Sequence, residues 1–70
     1  MSQNFVALKI NVQQVIDYIA IKDYDAAYSS FVLASEMLDE ILDHTESDED
    51  LIEISKYQVL LNQLHQKMNI

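Results

Sequence analysis

Seventy residues with no cysteine, a formal net charge of −8 and four basic residues leave room for one small domain and none for a disulfide framework or a thiolate metal site. Phosphate recognition depends on basic groups, so nucleic acid and anionic membrane surfaces are excluded as direct ligands. No apolar run exceeds four residues, against the roughly 20 a membrane span needs. No basic cluster followed by an apolar stretch marks a signal peptide. The expected location is therefore cytoplasmic.

Glycine and proline are both absent. Strand turns usually draw on glycine for positive φ and loops on proline for stiffness, so a chain lacking both is written in helix-compatible residues. The predicted class is all-α, one domain spanning residues 1–70. Three segments carry apolar residues at alternating steps of three and four, which lays one stripe along each helix. In the first, about residues 4–21, the stripe is Phe5, Leu8, Val12, Val15 and Ile19, with Ser2 or Asn4 as the cap. Lys22-Asp23 makes the first corner, Asp23 capping a second helix over about residues 24–43. Its stripe is Tyr24, Ala27, Phe31, Ala34, Leu38 and Ile41. The second corner is Asp43 to Ser47. Ser47 caps a third helix, about residues 48–68, whose first turn holds Asp48, Glu49 and Asp50, where the helix dipole favours anions. Its stripe is Ile54, Tyr57, Leu61, Leu64 and Met68. Short connections make sequential helices antiparallel, so the expected architecture is an up-down-up three-helix bundle.

The stretch "IKDYDAAYSSFVLASEML", Ile21 to Leu38, carries a family likeness. Asp23-Tyr24 at the corner, then Ala27, Phe31 and Ala34, with Tyr18 ahead of them, resembles the helical hairpin of a tetratricopeptide repeat, whose period is about 34 residues. The resemblance spans roughly residues 8–41. It implies close helix approach at Ala27 and Ala34, with Tyr18 and Phe31 filling the space between. Asn11, Gln14, Val15, Lys22 and Asp39 depart from the family's tryptophan, leucine, small residue, glycine and proline. A single repeat fits, where about three make a binding groove. The helix order is also similar to the three-helix microtubule-interacting and trafficking domain, and that resemblance implies a partner helix beside the third helix.

Apolar residues exceed what three stripes use. Val6, Ile10, Ile16 and Ala20 flank the first, Val32, Leu33 and Leu42 the second, and Ile52, Val59 and Leu60 the third. Burying one such side chain fully contributes about 1.5–3 kcal/mol, and a contiguous exposed set invites association. The expected protein is thus self-associating, most simply a homodimer. It is expected to offer a partner helix an apolar groove with an acidic rim. The candidate contacts are Tyr28 and Val32 on helix two with Ile52, Val59 and Leu60 on helix three.

Charge is segregated. Nine acids and no lysine lie between Glu36 and Glu53, with Asp43, Glu46, Asp48, Glu49, Asp50 and Glu53 forming an acidic patch. Such a patch steers basic partners. Two rival readings follow: an acidic nucleic-acid mimic that blocks a DNA- or RNA-binding protein, and a structural subunit whose apolar surplus serves oligomerisation alone. Calcium is not expected, since "DHTESDEDLIEI" lacks the glycine and the oxygen pattern of an EF-hand loop. His44 with Asp43 and Glu40 lacks a second histidine at ligand spacing, so no metal and no cofactor is expected. The serines have no base oriented toward them within a cleft, so no enzymatic activity is expected.

Overall fold

The computed structural model describes residues 3–68 and contains three helices: α1 (Gln3–Ala20), α2 (Tyr24–His44) and α3 (Asp48–Met68). Among the described residues there is no strand, and no helix is long and apolar enough to cross a membrane. The expected helices are present to within a residue or so at each end. Asn4 lies inside α1 rather than at its cap, and Ser2 lies outside the described residues. α2 continues one residue further than expected, through His44.

Contacts order the three helices. Asn11 on α1 reaches Ser30 on α2, while Ala7 lies beside Met37, Glu40 and Ile41. Rising α1 numbers therefore meet falling α2 numbers. Phe31 on α2 stacks on His65 of α3, and Leu38 lies near Gln58. Phe5 stacks on Tyr57, and Ile16 and Ala20 lie beside Leu60 and Lys67. These contacts are compatible with the up-down-up order. The particle is elongated, 37 × 19 × 15 Å.

The core is the three stripes. Leu8, Val12, Val15, Ala34, Leu38, Ile41, Ile54, Leu61 and Leu64 form one buried cluster, with Phe5, Ile19, Phe31, Met37, Tyr57 and Leu60 packed against it half-buried. α1 and α2 are the most intimate pair and α1 and α3 the least. Ala27 and Ala34 are completely buried, which is where missing side-chain bulk lets α2 approach. Asn11 is buried too, and its Nδ2 donates to the Ser30 carbonyl at 2.6 Å. A buried amide without a partner is costly, so this bond fixes the α1–α2 register as well as satisfying the group.

The first corner is closed by backbone geometry. The amides of Lys22 and Asp23 donate to the carbonyls of Ile19 and Tyr18, each at 2.9 Å, the bond pair that ends a helix on a left-handed residue. That residue is Lys22, at φ 62°, a conformation that costs a side chain with a Cβ about 1–2 kcal/mol. Asp23 then serves both helices: its amide closes α1 and its Oδ1 accepts from the Ala26 amide at 3.3 Å, capping α2. Lys22→Gly is expected to raise stability by about 1 kcal/mol, and the melting temperature of so small a domain by about 4–8 °C. Thermal unfolding followed by circular dichroism checks this; an unchanged or lower midpoint would show that Lys22 carries no strain.

The second corner is Thr45–Ser47. Thr45 is extended and its amide donates to the Leu42 carbonyl at 3.4 Å. At Ser47 it is the carbonyl that engages α3, accepting from the Leu51 amide at 3.0 Å. Asp48, Glu49 and Asp50 occupy the first turn of α3, and His65 and Lys67 the last, both placements favoured by the helix dipole.

Candidate functional site: an apolar groove between the first and third helices

Because α3 packs less closely on α1 than α2 does, a groove of about 400 Å³ stays open between the C-terminal halves of α1 and α3. Ile16, Ile19 and Ala20 form one wall; Leu60, Gln63, Leu64 and Lys67 form the other. Ile19 and Leu64 reach it from the edge of the core, whereas Ile16 and Ala20 sit off the core stripe. The run Val59-Leu60-Leu61 shows the same geometry on α3. At 100° per residue the three side chains fan out, so Val59 is exposed, Leu60 half-buried and Leu61 buried.

A second depression, about 310 Å³, lies between α2 and α3. Phe31, Leu38 and Leu61 floor it, but Ser35, Asp39, Gln58 and Asn62 surround them. Phe31 faces α3 here: its ring stacks on His65 at 5.2 Å and on Tyr28 at 6.2 Å. None of the five partner contacts expected from the sequence lines this depression, and Asp39 is the one acid on it.

The five expected partner contacts are not gathered into one surface. Leu60 lines the α1–α3 groove. Ile52 and Val59, seven residues apart and 59% and 56% exposed, share the outer face of α3. Tyr28 and Val32, one turn apart, lie on a flank of α2, the former exposed and the latter half-buried. Ile16 and Ala20 were part of the apolar surplus read from the sequence, while Lys67 carried no sequence signal by itself. A signal was present: Lys9, Gln13, Ile16 and Ala20 on α1 repeat the same four-three-four spacing as Lys56, Leu60, Gln63 and Lys67 on α3.

The acidic patch lies around the α2–α3 corner. Asp43, Glu46, Asp48 and Glu49 are exposed, Asp50 and Glu53 half-buried. The one ion pair among the described residues is Lys56–Glu53, at 3.9 Å and largely exposed, the kind that contributes little. Among those residues no three histidine or carboxylate side chains are grouped to hold a metal ion.

Glu53 has one further consequence. Burial, and then the negative charge of Glu53, raise the Tyr57 phenol above its usual value of 10.0. The folded state therefore holds the phenolic proton longer than the unfolded chain does. Its stabilising contribution is complete below about pH 10 and is lost as pH rises through the folded value. Tyr57→Phe is expected to flatten the stability profile above about pH 10 relative to the parent. Urea titrations across that range test this, and parallel profiles would contradict it.

Comparison with protein-family models, with curated proteins and with solved structures returned no match.

Proposed function

We propose that this chain is a small helical protein–protein interaction module that seats an amphipathic helix of its partner in the α1–α3 groove. The observation that carries this reading is the groove itself. Ile16, Ile19, Ala20, Leu60 and Leu64 present apolar surface along two helices, the arrangement into which a helix lays residues spaced i, i+3, i+4 and i+7. The likeness of residues 8–41 to a tetratricopeptide hairpin, and of the helix order to the microtubule-interacting and trafficking domain, supports the same class of function.

Ile16→Glu tests it. Ile16 is 36% exposed, so the variant is expected to fold with a stability change within about 1 kcal/mol. Affinity capture from the native host with parent and variant should show a protein retained by the parent and lost with Ile16→Glu. Identical retention by both would end the groove reading.

A second reading, self-association, is favoured by a different face. Val6 and Ile10, one turn apart on α1, are 59% and 57% exposed. Together with Ile52 and Val59 they supply apolar surface for a second copy. Sedimentation at micromolar concentration decides it: a monomer removes the dimer.

A further inference from the structure

Building on that docking reading, we infer that the helix seated in the α1–α3 groove is an acidic one, about three turns long, with carboxylates at both ends of an apolar stripe. The two walls extend into matching stripes, Lys9–Gln13–Ile16–Ala20 and Lys56–Leu60–Gln63–Lys67. Each spans about 17 Å at 1.5 Å per residue. The chain has twelve acids, yet none falls on either stripe, while three of its four lysines do. α2 and the corner after it hold no lysine at all. Phe5 on Tyr57 and Ala20 beside Lys67 run α1 and α3 in the same direction. Lys67 lines one end of the groove, and Lys9 and Lys56 lie toward the other end on the same helix faces, seven residues before Ile16 and four before Leu60.

These lysines are available. Lys9 and Lys67 are exposed, and Lys56, with 71% of its side chain accessible, pairs among the described residues with Glu53 at 3.9 Å. A basic helix would meet like charge at the lysine-bearing ends of the groove, where an acidic helix meets opposite charge; Asp17, which accepts from Gln13 Nε2 at 3.1 Å, is an exposed carboxylate beside the α1 stripe.

Two synthetic helix-forming peptides of about fourteen residues separate the alternatives, each with leucines spaced i, i+3 and i+7. One is flanked by glutamates and the other by lysines. The glutamate peptide should shift the backbone amide resonances of Ile16, Ala20, Leu60 and Gln63, and should lose affinity as salt rises. The triple variant Lys9→Glu, Lys56→Glu, Lys67→Glu, whose sites are all exposed, should fold as the parent does by circular dichroism and bind the glutamate peptide about tenfold or more weakly. If the lysine peptide occupies the groove as tightly as the glutamate peptide, the acidic assignment is overturned and the docking reading stands. If neither peptide moves the groove amides, both are overturned. If the chain alone sediments as a dimer that Ile16→Glu dissociates, the occupant is a second copy and the acidic partner is overturned.

Discussion

Leu8→Ala is expected to remove about half of the stability of the fold. Leu8 is completely buried and is among the largest fully buried side chains, together with Ile54 and Val15. Truncating such a leucine loses its transfer free energy and leaves a cavity, together about 2–5 kcal/mol. A domain of this length has about 4–10 kcal/mol in total, so the variant should keep about half of it and unfold at markedly lower urea than the parent. Urea titration followed by circular dichroism measures this. The contrast is Val6→Ala two residues earlier, at an exposed position on the same helix, where a change within about 0.5 kcal/mol is expected. A loss below about 1 kcal/mol at Leu8 would show that α1 is not anchored through this side chain.

Ala34→Leu is expected to do comparable damage by the opposite route. Ala34 has no accessible surface and belongs to the central cluster. Leucine is a good helix former, so the substitution leaves propensity nearly unchanged and isolates packing. Three extra heavy atoms have no space to enter, and overpacking costs about 1–3 kcal/mol and occasionally more. Ser30, one turn before Ala34, accepts the Asn11 bond at 2.6 Å. Displacing α2 stretches that bond and adds about 1 kcal/mol. Adding Asn11→Ala to Ala34→Leu should therefore cost less than the two single changes sum to. Strict additivity, or a loss at Ala34→Leu below about 0.5 kcal/mol, would mean that α2 has room to spare at this position.

Both substitutions act on the scaffold, whereas the groove is adjusted from its exposed rim. Ile16, Lys9, Lys56 and Lys67 are all exposed, so changing them leaves the central cluster untouched. That separation makes the docking proposal testable in folded protein.

Much of the architecture was legible in particular residues. The steps of three and four from Leu8 to Val15, Ala27 to Ile41 and Ile54 to Met68 named the buried faces, because a helix repeats every 3.6 residues whatever surrounds it. Asp23 as a cap was legible for a similar reason: its carboxylate needs only an unpaired amide three residues on. Lys22 was not. A glycine would have announced a left-handed turn, but a lysine is held there only because the corner bonds leave no alternative. Asn11 lies three residues after Leu8 and four before Val15, a stripe position, yet its polar side chain hid its burial until Ser30 supplied a partner. Phe31 was expected between α1 and α2; the ring of His65, far away in sequence, holds it against α3.

The site was less legible than the fold. The chain advertises more apolar side chains than one face per helix can use, and that excess is visible as exposed Val6, Ile10, Ile52 and Val59. Composition could not say which of these surfaces would be concave. Leu60 was separated from Tyr28 and Val32 by the way α3 sits against its two neighbours.

By itself the sequence determined the helical class, the three buried stripes and the separation of acids from lysines, since each depends on neighbours within a turn or two. Only the tertiary structure decided that α1 and α2 meet closely, that α1 and α3 stay apart, and that Lys67 lines the gap. Helix spacing is set by side-chain volumes summed across all three helices, with Ala27 and Ala34 drawing α2 in and the larger Ile19, Leu60 and Leu64 standing between α1 and α3. No stretch of the chain contains that sum.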